Sequence, residues 1–282
     1  MNGFLQLTKP RITVFILMST AVGFVFGTRL GNPWTWMQLI HTILGTCLIA
    51  SGTAALNQWY EREGDALMRR TQARPIPSGR ISANAALIFG VLLSIAGFAE
   101  LTFAVNPLTG FLALFTLVSY LGIYTPLKRV SPISTTIGAV PGAMPPLIGY
   151  AAASGHLNYE AGILFAILFV WQFPHFYAIA WMYREDYERA GIRMLPVVEP
   201  DLDSTVRRIQ WFSLALVPLS LAPKFMSMAG NVYLVGAILL SAFVLYTGMQ
   251  AAAVRTMLNA RRVLLASIVY LPVLYGLLAF DS

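Results

Sequence analysis

The chain has little charge and almost no cysteine. Of its 282 residues, 11% are charged and only Cys47 is a cysteine, whereas soluble domains usually carry about 25% charge. A single cysteine excludes an intramolecular disulfide framework and a Cys-x-x-Cys metal site. The low charge, together with 57% hydrophobic residues and a mean hydropathy of +0.67, excludes an ordinary soluble enzyme and a disordered chain.

Long apolar runs predict an all-α polytopic membrane protein in a single domain over residues 1–282. A helix crosses the hydrocarbon core with about 20 residues. The first run has no small-residue cleavage site, so we expect it to remain as a membrane span. The Pro-rich fifth span should be kinked. Nine spans are predicted, at residues 12–28, 37–58, 83–104, 107–124, 133–153, 160–182, 209–226, 231–251 and 261–279.

The positive charges set the predicted orientation. With the N-terminus inside, 17 of the 19 Lys and Arg residues lie on the inner side, and only Arg29 and Lys224 lie outside. The positive-inside rule therefore predicts a cytoplasmic N-terminus and an external C-terminus. The absence of a transit peptide favours a bacterial cytoplasmic membrane. The basic residues then face anionic headgroups and phosphorylated substrates, so no nucleic-acid partner is expected.

Acidic residues also collect on the inner side, and topology gives no reason for them. Asn57, Glu61 and Asp65 recur every four residues, which places them on one face of a helix. An amide oxygen and two carboxylates suit Mg²⁺, which completes its shell with water and substrate phosphates. Arg70 and Arg74 follow, and arginine forks match phosphate oxygens. The pattern indicates a magnesium-bridged diphosphate; on spacing alone, a solvated loop with local ion pairs fits equally well.

A second acidic cluster follows the sixth span. It contains Asp186 with several arginines, among them Arg193. Taken alone, this segment is more typical of an interfacial loop. Its position four spans after the first cluster suggests two matching halves of one bundle.

At these segments the chain resembles the UbiA superfamily of intramembrane prenyltransferases and, within it, the branch that acts on haem. Six motifs in order carry the resemblance: K-P-R-I at residues 9–12, N-x-x-x-E-x-x-x-D-x-x-M-x-R-T-x-x-R-P at 57–75, Y-T-P-L-K-R at 124–129, G-A-V-P-G-A-M-P-P-L-I-G-Y at 138–150, W-Q-F-P-H-F-Y-A-I-A-W at 171–181 and D-Y-E-R-A-G-I-R-M-L-P at 186–196. The last three spans match mainly in hydropathy.

The resemblance implies a nine-helix, UbiA-like bundle with a central cavity. It also implies transfer of farnesyl from farnesyl diphosphate to a vinyl group of protohaem IX (haem B), with water added, to give haem O and diphosphate. Haem B would be a substrate, since the chain has no covalent attachment motif. Haem O lies on the route to terminal oxidases, so a haem A synthase or an oxidase assembly is a candidate partner beside the lipid bilayer.

Two positions depart from the superfamily pattern. Glu61 stands where an aspartate is usual, and Tyr183 and Tyr187 stand where many relatives carry a D-x-x-x-D pair. The second departure argues against a second magnesium site and agrees with the haem-specific branch.

The chemistry assigns roles to these residues. Ionisation of an allylic diphosphate needs stabilisation of the leaving group, which a metal ion and cationic side chains supply. Aromatic faces stabilise cations, and an ionisable residue inside the membrane is a functional candidate. Interfacial anchoring or core packing fits each aromatic residue better when it is taken singly, and a histidine that bonds the backbone at a proline kink fits His175 equally well. The predicted site comprises Mg²⁺ ligands and catalytic residues Asn57, Glu61 and Asp65, a further catalytic acid Asp186, diphosphate contacts Arg70, Arg74, Lys128 and Arg193, and haem or prenyl contacts His175, Tyr124, Trp171 and Tyr177.

Two alternatives stay open at this point. A secondary transporter also uses intramembrane polar residues, broken spans and repeats, although its site lies near the membrane midplane. The other alternative is a prenyltransferase of the same superfamily that acts on another aromatic acceptor.

Overall fold

The computed structural model describes residues 3–29 and 33–282, and all regular structure in these ranges is helical. Two of the long helices continue as π-helix, at Glu100–Val105 and Ser119–Tyr124. The α-helices are α1 (Gly3–Leu7), α2 (Pro10–Thr28), α3 (Trp36–Tyr60), α4 (Arg62–Leu67), α5 (Ala83–Ala99), α6 (Pro107–Val118), α7 (Thr125–Leu127), α8 (Ser134–Gly142), α9 (Pro145–Ser154), α10 (Tyr159–Met182), α11 (Arg184–Arg189), α12 (Leu195–Val198), α13 (Asp203–Phe225), α14 (Asn231–Ala253) and α15 (Met257–Phe280).

The all-α, multi-pass prediction is confirmed. Within the described ranges, seven helical stretches are long and apolar enough to cross a membrane, which correspond to seven of the nine predicted spans. The fifth predicted span is two short helices, α8 and α9, because Pro145 and Pro146 lack the N–H groups that would continue α8. The seventh is α13, which begins at Asp203 rather than 209 and is therefore longer and more polar than predicted.

Glycine sets the packing of the first half of the bundle. Helix α2 packs along α9, and α3 packs along α5. A Cβ atom on Gly149 would lie 1.8 Å from the carbonyl oxygen of Thr20, and one on Gly23 would lie 2.0 Å from that of Pro146. The backbones of α2 and α9 are thus in direct contact, the close approach that small residues permit between membrane helices.

Buried tyrosines hold the second half together. Helix α10 packs against α13 and α15, and α14 packs against both of these helices. Tyr233 donates to the carbonyl oxygen of Ser220 at 2.7 Å, and Tyr275 donates to that of Leu164 at 3.0 Å. These phenol groups are satisfied inside an apolar cluster that also includes Phe26 of α2, so this cluster joins the two halves.

The polar segments meet at one end of the bundle. The amide of Arg193 donates to the carbonyl oxygen of Lys128 at 2.8 Å. The carboxylate of Asp186 accepts from the amide of Arg69 at 3.1 Å. The N-terminal segment reaches the same end, where Gln58 donates to the carbonyl oxygen of Leu7 at 2.9 Å. Four stretches far apart in the chain therefore build one polar surface.

Candidate functional site

Asn57, Glu61 and Asp65 lie on consecutive helical turns. Although α3 ends at Tyr60, the amide of Glu61 donates to the carbonyl of Asn57 at 2.9 Å, and the amide of Asp65 donates to that of Glu61 at 2.8 Å. The four-residue spacing therefore still corresponds to one helical turn across the junction between α3 and α4. Glu61 and Asp65 line one cavity of about 10 Å³, which is room for about one water molecule.

Each of these three side chains is bound by a cation from elsewhere in the chain. Removal of a buried carboxylate from water is costly unless a partner compensates it. The compensating contacts are Lys9 Nζ to Asn57 Oδ1 at 2.9 Å, Lys128 Nζ to Glu61 Oε1 at 2.7 Å and Arg74 Nη1 to Asp65 Oδ2 at 2.7 Å.

The buried cations and Glu61 shift one another's protonation. Burial, helped by the charge of Arg74, lowers the pKa of Lys9 to about 7. Burial opposes the charged form of Glu61 as well, but the charges of Lys128, Lys9 and Arg74 together outweigh it and lower the pKa of this carboxyl. Burial also works against Lys128, yet Tyr124 and Glu61 together raise its pKa well above the ordinary value. Glu61 and Lys128 thus stabilise each other as an ion pair.

Asp65 has an oxygen that the protein does not use. Its side chain is 0% exposed and its Oδ2 is paired with Arg74, while its Oδ1 has no hydrogen-bond partner among the described residues. Buried carboxylate oxygens are normally bonded, so an orphan is a reason to look for a ligand. Within residues 3–29 and 33–282, no three His, Cys, Asp or Glu side chains form a metal site by themselves. A metal here would need the Asn57 amide and substrate oxygens.

A groove of about 330 Å³ lies beside these carboxylates. Three cations line it, Lys9, Arg70 and Arg74, together with the apolar side chain of Ile12 from α2. Two of these cations are the partners of Asn57 and Asp65, so groove and carboxylates form one electrostatic unit. A cationic groove with an apolar wall suits an anionic group that carries a hydrocarbon tail.

Lys128 also lies at this site, over the ring of Tyr124. Its ammonium lies 4.3 Å from the ring centre of Tyr124, and the rings of Tyr120 and Tyr124 are 4.9 Å apart. Asn57 Nδ2 lies 3.5 Å from Thr125 Oγ1. Arg193 joins the site through its main chain, and its side chain is exposed.

Asp186 has a different environment from the other predicted acids. Its two carboxylate oxygens accept from the amides of Arg69 and Arg70, at 3.1 and 3.2 Å, and one of them also pairs with Arg189. Asp186 is thus bonded to the loop that follows α4. It is not among the residues that line the Glu61 cavity. Its catalytic role stays a prediction.

The predicted haem or prenyl contacts fall into two groups. Tyr124 lies with Lys128, whereas Trp171 and His175 lie against α15. His175 Nδ1 is 2.9 Å from Ser267 Oγ, and the indole of Trp171 donates to the carbonyl of Ser267 at 2.7 Å. The Trp171 and His175 rings stack at 4.8 Å.

Tyr177 lies two residues beyond His175 in α10, on roughly the opposite face of the helix. Its hydroxyl accepts from Arg208 of α13 at 2.9 Å. Tyr177 lines neither the Glu61 cavity nor the groove. Its position is set by the packing of α10 against α13.

Sequence reasoning missed Lys9 and Thr125 as site residues. Lys9 precedes α2 directly and has a left-handed backbone, with φ 47°. In the sequence it is indistinguishable from a topology signal, because lysines before a first span are common. Its contact with Asn57 depends on the packing of α2 against α3.

Comparisons with known proteins agree with this geometry. Residues 16–275 match the UbiA prenyltransferase family. The chain is 58% identical over its whole length to a protoheme IX farnesyltransferase of Solibacter usitatus, covering 99% of that protein. It is similar in fold to a UbiA homologue of Aeropyrum pernix (TM-score 0.76, 20% identity, 92% of this chain and 94% of that one). A UbiA homologue of Archaeoglobus fulgidus bound to GPP and Mg²⁺ is also similar (TM-score 0.67, 17% identity, 97% and 98%).

Proposed function

This chain belongs to the UbiA prenyltransferase family, and we propose that it transfers the farnesyl group of farnesyl diphosphate to a vinyl group of protohaem IX. Water then adds to the farnesylated side chain, and the products are haem O and diphosphate. The observation that carries the proposal is the pair of carboxylates around one cavity beside a cationic groove. The acceptor is taken from the name of the Solibacter usitatus relative.

Asn57, Glu61 and Asp65 are the proposed ligands of Mg²⁺. Their donors are all oxygen, as Mg²⁺ prefers, and the unpartnered Oδ1 of Asp65 fits a bound cation. When bound, Mg²⁺ would supply Lewis-acid stabilisation of the diphosphate leaving group. The UbiA homologue of Archaeoglobus fulgidus bound to GPP and Mg²⁺ supports this assignment by analogy of fold.

The cations of the site bind the diphosphate in this proposal. Arg74 and Lys128 now neutralise Asp65 and Glu61, and they are released for phosphate oxygens when those carboxylates acquire another partner. Lys9 and Arg70 contact the same anion from the groove, and Arg193 contacts it from the edge. Cations fixed in place before the reaction stabilise the charge that develops on the leaving group.

The aromatic residues protect the farnesyl cation. Tyr124 lies next to Lys128 and Tyr120 lies next to Tyr124, and aromatic rings attract cations. Water near the cation would hydrolyse it, so the site must be dry until the vinyl group has attacked. In this order, the carbon–oxygen bond breaks first and gives diphosphate and the farnesyl cation. The vinyl group then attacks the cation and forms the new carbon–carbon bond, and water captures the resulting positive charge with loss of a proton.

His175 is the proposed anchor of the haem. Its Nδ1 is bonded to Ser267, and its Nε2 forms no hydrogen bond within the described part of the chain. A histidine that ligates a metal usually has its other nitrogen hydrogen-bonded in this way. His175→Ala should abolish the shift in the Soret band when haem B is added, while His41→Ala should not. An unchanged shift in the first variant would remove His175 from the acceptor site.

Orientation, location and partners complete the proposal. The chain is a multi-pass membrane protein, and we propose a single domain whose polar end faces the bacterial cytoplasm, because 17 of 19 basic residues lie on that side. The product gains an apolar tail and stays in the bilayer. A membrane-bound haem A synthase or terminal-oxidase assembly is the proposed recipient.

The test uses the purified chain in lipid nanodiscs with farnesyl diphosphate, Mg²⁺ and a set of acceptors. Mass spectrometry should detect farnesylated haem from haem B and no product from a hydroxybenzoic acid. A product from the aromatic acid alone would overturn the haem assignment. Haem movement across vesicles containing the protein, without any prenylated product, would favour a transporter.

A further inference from the structure

Arg70 is a groove cation without a carboxylate partner for its side chain. Arg74 beside it is paired with Asp65 at 2.7 Å, whereas the guanidinium of Arg70 forms no ion pair within the described part of the chain. An arginine has about 2 kcal/mol of rotamer entropy, so an unpaired one is expected to be mobile unless other contacts hold it.

Two tyrosines of the second acidic cluster, Tyr183 and Tyr187, hold this guanidinium. The Arg70 Cζ atom lies 4.7 Å from the ring centre of Tyr183 and 5.8 Å from that of Tyr187, and its Nη2 donates to the Tyr187 hydroxyl at 3.3 Å. The amide of Tyr187 donates to the carbonyl of Tyr183 at 3.1 Å. The two rings therefore lie one helical turn apart and face the same partner.

Asp186, between the tyrosines, fixes the main chain at the same point. Its Oδ2 accepts from the amide of Arg70, and its Oδ1 accepts from the amide of Arg69. The carboxylate thus fixes the backbone of Arg70 while the two rings hold its side chain. The acid of this segment is engaged with amides and with Arg189, not with the Arg70 guanidinium.

The choice of aromatic rings has an electrostatic consequence. A carboxylate partner would cancel the charge of Arg70 and compete with an incoming anion. A ring attracts the cation through its quadrupole and leaves the net charge intact. A rigidly held, uncompensated cation beside a groove is what anion binding requires, because little freedom is then lost on binding.

We propose that Tyr183, Asp186 and Tyr187 form an arginine clamp, a set of positioning residues that hold Arg70 ready for a diphosphate in the groove. The second acidic cluster then acts through Arg70 and does not bind a metal. The clamp rests on the proposed function in one respect: the diphosphate that Arg70 binds belongs to a prenyl substrate.

The test is a double-mutant cycle on binding of inorganic pyrophosphate with Mg²⁺, measured by calorimetry on the full chain in nanodiscs. Tyr183→Leu should weaken binding by about threefold, because Arg70 is exposed and an exposed cation–π contact is weak. Arg70→Gln should weaken it at least as much. Because Tyr183 acts through Arg70, the double variant should bind like Arg70→Gln alone.

Further variants separate positioning from folding. Tyr183→Phe keeps the ring and should bind pyrophosphate like the parent chain, whereas Tyr246→Leu, at an exposed tyrosine of α14, is a matched control without effect. In turnover assays, Tyr183→Leu should raise KM for farnesyl diphosphate by about threefold and change kcat less. Additive losses in the cycle, or parent-like binding by Tyr183→Leu, would overturn the clamp.

The outcomes for the clamp and for the reaction are distinguishable. Pyrophosphate binding requires neither haem nor farnesyl, so the cycle reports on the clamp even if no farnesylated haem is formed. Conversely, the chain could farnesylate haem normally while the Tyr183 and Arg70 substitutions weaken pyrophosphate binding additively. That result would support the proposed function and refute the clamp.

Discussion

Replacement of Asp65 by asparagine removes one negative charge from the centre of the site and changes almost nothing in shape. In the structure, Asp65 is fully buried, its Oδ2 is 2.7 Å from Arg74 Nη1, and its Oδ1 is without a partner in the described chain. The substitution therefore changes two things: the partner of Arg74, and the charge available to a divalent cation.

The first effect is a moderate loss of stability. Removal of one partner of a fully buried ion pair costs about 3–5 kcal/mol. Arg74 is 26% exposed, so water compensates part of its charge, and the asparagine oxygen can still accept a hydrogen bond. We therefore expect a loss of about 2 kcal/mol in the free energy of unfolding, against a typical total of about 5–15 kcal/mol. Most of the protein should still fold.

The second effect is larger and falls on turnover. Asparagine retains an oxygen but has no charge, so it is a much poorer ligand for a hard cation. Loss of one preorganised electrostatic contact to a leaving group typically costs about 10²–10³ in kcat. We expect farnesyl transfer by Asp65→Asn to fall by at least about a hundredfold, without recovery at high farnesyl diphosphate.

The assay is magnesium-dependent release of diphosphate in nanodiscs, with thermal unfolding measured on the same preparation. Asp203→Asn is the matched control, since Asp203 also pairs with an arginine, Arg255 at 2.5 Å, but its side chain is 62% exposed. Exposed pairs contribute about 0–1 kcal/mol, so this variant should behave like the parent. If folded Asp65→Asn retained normal magnesium-dependent turnover, Asp65 would not be a metal ligand.

Three further predictions follow from the same structure. Lys9→Met should raise KM for farnesyl diphosphate by about tenfold, because a groove cation and the bond to Asn57 are lost; an unchanged KM in steady-state kinetics would exclude Lys9 from the groove. Gly149→Ala should lower the melting temperature, because its Cβ would lie 1.8 Å from the Thr20 carbonyl oxygen, whereas Gly162→Ala, with open space around it, should not. Chelation of divalent cations should abolish diphosphate release, and added Mg²⁺ should restore it; turnover that survives chelation would contradict a divalent-metal requirement.

Hydropathy predicted the membrane architecture well where a span is a single regular helix, and less well where it is not. The fifth predicted span has the right composition, but Pro145 and Pro146 begin a new helix instead of bending the old one. The seventh was predicted to begin at 209 because Arg207 and Arg208 are charged. Both residues nevertheless belong to α13, and the long side chain of Arg208 reaches the hydroxyl of Tyr177.

The candidate site shows a similar division. Four-residue periodicity was enough to bring Glu61 and Asp65 together, because that relation is local to one helical turn. The cations that bind this face were not predictable in the same way. Lys9 is 48 residues from Asn57, and Lys128 is 67 residues from Glu61, so these pairs depend on how whole helices pack.

The arrangement of charges explains why such a site can be assembled within the protein and still be reactive. Glu61 and Asp65 could not be buried alone, and they are satisfied by Lys128 and Arg74, which the proposed mechanism releases when a ligand binds. Among the described residues, Arg70 has no such partner and is held by tyrosine rings, so it retains its charge. Cations that the protein keeps available, or can release, stabilise a leaving diphosphate more than they stabilise the intact ester, because negative charge grows as the carbon–oxygen bond breaks. This difference between ground state and transition state is what accelerates the reaction.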